Sequence, residues 1–265
     1  MVKNYLIIGN PVEHSLSPKI HNYWFKENNI NSVYKKKLLE KNQLGDLTKE
    51  IKNGNIDGAN VTVPFKQEII PYLDKLSDLS TKTQSVNTIY KQDNKIIGDN
   101  TDAFGFSQSL KSNNLDLQKK NILILGAGGV VPSIICALEE LLVNQIYIKN
   151  RTYEKILKLK DNFKNIIPLK WDDEINCDIV INATSLGLKP SDEININFEN
   201  MTNNVIFYDT IYNPPLTNLL KEAKNKGHKI INGKLMLLFQ AQKAFKIWTG
   251  IEPEINEKFL NILDD

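Results

Sequence analysis

Arginine is almost absent from this chain of 265 residues: of its 33 basic residues, 32 are lysine and the other is Arg151. Cysteine is scarce as well. Cys136 and Cys177 fall in separate predicted elements, which excludes a disulfide framework and any cysteine-based metal-ligand pattern, so no metal is expected. An excess of one charge is missing: 33 basic against 31 acidic residues leave a net charge of +2, too little for the footprint of a nucleic-acid or anionic-membrane binder. The lysine run Lys35–Lys37 therefore reads as a solvated strand edge. No apolar run approaches the ~20 residues of a membrane span. The apolar part of residues 1–9 is too short for a secretion signal and reads as a first strand. His14 could pair with a nearby serine, but no Gly-x-Ser-x-Gly elbow accompanies it, which argues against a serine hydrolase. What is left, 41% hydrophobic and 24% charged, is an ordinary globular composition long enough for one large or two small domains, and a cytoplasmic location is expected.

Strands are predicted at 5–8, 33–39, 57–63, 86–91 and 95–98, and helices at 41–52, 66–73 and 102–112. A further helix begins at Ser17-Pro18, with serine as the cap and proline at the first helical position. This alternation implies a mostly parallel sheet covered on both faces. After the polar stretch 113–120, a second α/β half opens with a strand at 121–125, a glycine turn, a helix at 132–142 and a strand at 145–149. Later strands fall near 178–182, 205–209 and 229–231. Residues 188–204 read as a loop, and 235–248 and 255–263 as helices.

The turn Gly126-Ala127-Gly128-Gly129-Val130 sits between a buried strand and a helix. Glycine there lets backbone N–H groups approach a pyrophosphate at the helix N-terminus. The third small position of the fingerprint is Val131, an imperfect match. The next strand ends in Asn150-Arg151-Thr152, followed by Lys155. Sites for NAD place an acid at this strand end to hold the ribose 2′-hydroxyl. Here the chain spends its one guanidinium, which can fork onto a 2′-phosphate, so the pattern favours NADP.

Ser15-Leu16-Ser17-Pro18 offers two hydroxyls at a helix start, suited either to an anion or to a plain cap. Lys66 follows a strand stopped by Pro64 and opens the predicted helix at 66–73. Helix dipole and partial burial would both disfavour its ammonium form and suit it to proton transfer. Asp102, at the start of another helix, is either a first-turn acid or the partner of Lys66. Asn87 and Gln240 are amides among apolar neighbours, and a polyhydroxy ligand would satisfy them. His21 lies within a helix and reads as structural.

Taken together, GNPVEHSLSPKIHN, GANVTVPFK, VNT, GDNTDAFGF, GAGG, NRT, NATSLG and GKLMLLFQA resemble the shikimate dehydrogenases over nearly the whole chain. The resemblance implies two α/β domains: a substrate-binding α/β sandwich formed by 1–103 plus 237–265, and a Rossmann-like NADP-binding domain at 104–236, with the active site in the cleft between them. It implies reversible reduction of 3-dehydroshikimate to shikimate in aromatic amino-acid (chorismate) biosynthesis. Ser15 and Ser17 would hold the substrate carboxylate with Tyr212. Thr62, Lys66, Asn87, Asp102 and Gln240 would contact the ring hydroxyls. Lys66 would be the proton acceptor and Asp102 its partner. NADP would lie on Gly126, Ala127, Gly128, Gly129, Val130, Asn150, Arg151, Thr152 and Lys155, with Thr210 and Gly233 near the nicotinamide. Two departures fall on the cofactor side: Leu235 stands where a glycine is common and Lys155 where arginine is frequent. The resemblance leaves open a quinate-preferring or dual-cofactor relative and a non-catalytic metabolite-binding relative. A folate-linked dehydrogenase of similar build would leave the Ser15/Ser17 segment unexplained. No nucleic-acid or membrane partner is expected, and the chain would act as monomer or homodimer.

Overall fold

The computed structural model describes residues 2–198, 201, 202, 204–256, 259 and 260. The chain forms two compact units, 2–105 with 238–260, and 106–237. Of the helix expected over 255–263, residues 257, 258 and 261–263 lie outside the described ones; Phe259 and Leu260 are helical.

In the first unit, β1 (Lys3–Gly9) pairs in parallel with β2 (Ser32–Leu38) and β3 (Gly58–Val61). Then β5 (Thr88–Gln92) runs antiparallel to both β3 and β6 (Lys95–Asp99), and the short β4 (Lys75–Leu76) lies parallel to β6. The strand order is β2-β1-β3-β5-β6-β4, a mixed sheet. Its helices are α1 (Ser17–Glu27), α2 (Leu44–Lys52), α3 (Asp78–Thr83), and parts of α4 (Asp102–Ser112) and α8 (Lys234–Thr249). Leu44, Leu47 and Ile51 of α2 pack on Ile8, Ala59, Val61 and Ile89 of the sheet.

The strand directions decide where loops collect. The ends of β1 and β3 lie on one edge of this sheet. Because β5 is antiparallel, its beginning lies there as well, as the pairing of Asn60 with Thr88 requires. The end of β6 follows, since Asp99 pairs with Thr88. Loop residues after β1, β3 and β6, and Asn87 just before β5, are thereby gathered at one edge although they are scattered along the sequence.

The second unit holds a parallel sheet of β7 (Asn121–Leu125), β8 (Gln145–Lys149), β9 (Ile166–Leu169), β10 (Ile179–Asn182), β11 (Ile206–Asp209) and β12 (Lys229–Ile231). Its order is β12-β11-β10-β7-β8-β9, the doubly wound arrangement in which the order reverses beside β7. Helices α5 (Val131–Glu140), α6 (Tyr153–Asn162) and α7 (Asn218–Asn225) make the crossovers. The central strands β7 and β10 are buried apolar runs, as a sheet covered on both faces requires.

Two local expectations are corrected. Residues 63–69 are successive turns, followed by a single 3-10 turn at Ile70–Tyr72, so Lys66 opens no helix and meets no helix dipole. The backbone there closes through short-range bonds such as Phe65 N–H to the Thr62 carbonyl, 3.0 Å, and Ile70 N–H to the Gln67 carbonyl, 3.2 Å, with no continuous i→i−4 ladder. Nor is Ser17 the cap of α1. That position is Leu16, and Ser17 is already helical with its side chain buried. Ser15 Oγ accepts the Ser17 N–H at 3.2 Å and does the capping from one residue further back.

Candidate active site

At the gathered edge of the first sheet, Lys66 Nζ lies 2.6 Å from Asp102 Oδ2, with the two side chains only 13% and 7% exposed. The other carboxylate oxygen is also engaged: Asn87 Nδ2 donates to Asp102 Oδ1 at 2.9 Å. Asp102 is the first residue of α4, and its N–H and that of Ala103 donate to Asn100 Oδ1 at 3.0 and 3.4 Å, so Asn100 holds the helix start. The lysine arrives from the turn after β3 and the acid from the far side of the sheet, 36 positions along the chain.

Asn87 is held on both sides of its amide. Its Oδ1 accepts the Thr101 N–H at 2.8 Å and Thr88 Oγ1 at 3.1 Å, while its Nδ2 also donates to Thr101 Oγ1 at 2.9 Å and, more weakly, to Gln240 Oε1 at 3.4 Å. The two amides singled out in the sequence thus meet each other, and Asn87 is satisfied by the protein itself without a ligand. Behind this layer, Asn60 Nδ2 donates to the Asn87 carbonyl at 3.0 Å, and the buried Tyr34 hydroxyl donates to Asn60 Oδ1 at 2.6 Å. Burial holds the Tyr34 phenol well above its ordinary pKa, with the Ser17 hydroxyl beside it pulling the other way. A polar chain therefore runs from Ser17 through Tyr34, Asn60 and Asn87 to the Lys66–Asp102 pair. Tyr34 and Asn60 were not marked from the sequence. Asn60 stands in GANVTVPFK, but nothing short of the register showed that it faces Asn87.

Ser15 and Thr62 are half-buried on the loops after β1 and β3. His14 is exposed and, among the described residues, bonds to neither serine. His21 is fully buried, stacked 4.4 Å from the Tyr34 ring, and burial pushes its pKa down to about 3, so it is a neutral packing group. Tyr212 is half-buried in the loop after β11, in the second unit.

The second unit carries the glycine turn at the C-terminal end of β7. Gly126 has φ +112, and a Cβ there would meet the Ala183 carbonyl oxygen at 2.9 Å, so the turn requires glycine. At Gly128 an added Cβ would come no nearer to any atom than 4.0 Å, and the residue is exposed: open space lies over the turn at the start of α5, where a pyrophosphate needs it. Arg151, Thr152 and Lys155 are exposed at the end of β8 and the start of α6, and among the described residues no carboxylate pairs with Arg151. Asn150 Nδ2 turns back to the Thr152 carbonyl at 2.8 Å and shapes the corner. A turn open at Gly128 and an uncommitted guanidinium at the next strand end fit a dinucleotide bearing a 2′-phosphate. Gly233 has a different reason for being glycine: a Cβ would sit 2.1 Å from the Thr210 carbonyl oxygen.

Comparison with known proteins bears on the whole chain. The model of the shikimate dehydrogenase substrate binding domain matches residues 7–89, and that of shikimate / quinate 5-dehydrogenase matches 108–205. A shikimate dehydrogenase (NADP(+)) of Pelagibacter ubique (strain HTCC1062) is 53% identical over 264 residues, covering 100% of both chains. The chain belongs to the shikimate dehydrogenase family. Among solved structures, a shikimate dehydrogenase in complex with NADP+ superposes with a TM-score of 0.92 at 37% identity, covering 99% of this chain and 95% of that one. A shikimate 5-dehydrogenase from Listeria monocytogenes, in complex with shikimate and NAD, gives 0.90 at 30% identity, covering 99% and 96%. Among the described residues of this family member, no helix is long and apolar enough to cross a membrane, and no cluster of three or more His, Cys, Asp or Glu could hold a metal ion.

Proposed function

We propose that the chain catalyses the NADP-dependent, reversible reduction of 3-dehydroshikimate to shikimate in the cytoplasm, with the first unit as substrate domain and the second as NADP domain. One observation carries the reading: an amine and a carboxylate, distant in sequence, meet at 2.6 Å in a nearly water-excluded position, with the second carboxylate oxygen fixed by Asn87. Such an arrangement aims an ammonium group without letting it wander. In the reducing direction Lys66 gives a proton to the C3 oxygen as that oxygen becomes a hydroxyl. In the oxidising direction it takes the proton back. Asp102 balances the charge and orients the amine. Bound NADP supplies or accepts the hydride at carbon.

Ser15 and Ser17, with Tyr212, hold the substrate carboxylate by neutral hydroxyl donors. Thr62 and Gln240 read the ring hydroxyls, and Asn87 borders them while its amide holds Asp102 in place. Gly126 to Val130 receive the pyrophosphate. Asn150, Arg151, Thr152 and Lys155 receive the 2′-phosphate side, and Thr210 and Gly233 border the nicotinamide. Oxidation of NADPH followed on addition of 3-dehydroshikimate tests the reading, with quinate in the presence of NADP+ run as the competing substrate. Turnover of shikimate with kcat/KM well above that of quinate supports it. Absence of turnover with tight shikimate binding would establish the non-catalytic alternative instead.

A further inference from the structure

The second unit buries an acid that the proposed reaction does not use. Asp209, the last residue of β11, is fully buried, and burial pushes its pKa up. Every polar group around it donates. The Ile211 N–H reaches Oδ1 at 2.9 Å and the Thr217 hydroxyl reaches Oδ2 at 2.7 Å. Asn182 Nδ2 lies 3.1 Å from each oxygen. The Asn182 amide cannot be turned round, because its Oδ1 already accepts the Thr184 N–H at 3.0 Å and the Thr184 hydroxyl at 2.7 Å, and its Nδ2 also donates to the Leu186 carbonyl at 3.0 Å. Thr217 Oγ1 in turn accepts the Leu220 N–H at 3.3 Å as the cap of α7. One carboxylate–amide pair therefore ties together the loop after β10 and the loop after β11.

The sheet order says what these loops border. Arg151 follows β8, on one side of the glycine turn that follows β7, while β10 and β11 lie on the other side. A dinucleotide crossing the switch point with its 2′-phosphate at Arg151 carries its second nucleoside over the loops after β10 and β11. We propose that Asp209 is a positioning residue of the nicotinamide half of the cofactor site, holding through Asn182 and Thr217 the two loops on which that half rests. The proposal rests on the NADP reading above.

The test compares two probes by calorimetry: NADP+, and adenosine 2′,5′-bisphosphate, which bears the 2′-phosphate and lacks the nicotinamide half. Asp209→Asn turns amide hydrogens toward donors. It should raise the Kd for NADP+ about tenfold and leave that of the bisphosphate within about twofold. Equal weakening of both probes would mean a general structural role, and no weakening of either would mean no role; each overturns the proposal. Should Asp209→Asn fail to fold, Thr217→Val removes one donor to Asp209 together with the α7 cap at nearly constant shape, and in it an unchanged Kd for NADP+, or equal weakening of both probes, overturns the proposal as well. A wild-type chain that binds neither probe brings down the NADP reading itself, whereas wild-type binding with an indifferent Asp209→Asn brings down this inference alone.

Discussion

The two units solve recognition in opposite ways. In the first, the chemistry sits in side chains locked to one another: Lys66 on Asp102, Asp102 on Asn87, and Asn87 on Thr101 and Thr88. In the second, the cofactor face is made largely of what is missing, a glycine turn open above Gly128, with exposed Arg151 and Lys155 beside it. A proton must be moved at one atom, which demands fixed angles and low solvent access. A pyrophosphate needs only backbone donors and room, and a 2′-phosphate only a cation that can reach it. The second unit keeps its own locked polar cluster, at Asp209, in the loops after β10 and β11.

The contrast can be broken most severely at Lys66. Lys66→Ala should lower kcat by about 10²–10⁴ with KM for shikimate changed modestly, read from steady-state rates of NADPH formation. Near-normal turnover would show that the locked pair is structural. Next in size is the response to acid, which should differ between the units. His21 has a depressed folded pKa of about 3, so between pH 6.5 and 3 the unfolded chain binds the extra proton. Its contribution is present above pH 6.5 and falls on acidification by about 1.4 kcal/mol per pH unit within that window. Asp209 has a raised folded pKa, so its contribution is fully present below its ordinary value of 3.8 and is lost as pH rises through the folded value. Lowering the pH from 7 to 5 should thus loosen the first unit by about 2 kcal/mol relative to the second. Hydrogen exchange read by mass spectrometry follows each unit separately, and His21→Phe should remove the first unit's loss on acidification.

Of similar size, Gly126→Ala should cost about 2 kcal/mol of stability, since an alanine must adopt a left-handed backbone against the Ala183 carbonyl. A thermal melt within a degree of wild type would show that the turn tolerates a side chain after all. The smallest effect is expected at Arg151. Exposed as it is, Arg151→Ala should raise KM for NADP about tenfold while leaving KM for NAD nearly unchanged. Equal changes for both cofactors would remove the 2′-phosphate from the argument.

Much of this architecture was legible in the sequence where local chemistry and global fold agree. Strands β7 and β8 are apolar runs bounded by polar residues and glycine, and they form where that pattern ends. The elements the pattern did not mark have weak local signals. Helix α6 buries only Ile156, so its periodicity is faint, and the edge strand β9 contains Pro168. At Lys66 the pattern misled: an apolar spacing that suits a helix belongs instead to a run of turns packing Phe65 and Ile69 into the core. Asp209, in an apolar stretch ending IFYD, was passed over because an acid at a strand end is as compatible with solvent as with burial.

The residue types themselves settled which chemistry the chain can carry: one guanidinium after a glycine turn, one lysine after a proline-stopped strand, an acid opening a helix. They could do so because these groups are scarce or oddly placed among ordinary neighbours. That Lys66 meets Asp102, that Asn87 is spoken for by the protein, and that Tyr34 and Asn60 stand behind them was decided only by the sheet. An antiparallel strand inserted among parallel ones brings both its start and its neighbour's end to the same edge, and no local pattern records which strand lies beside which.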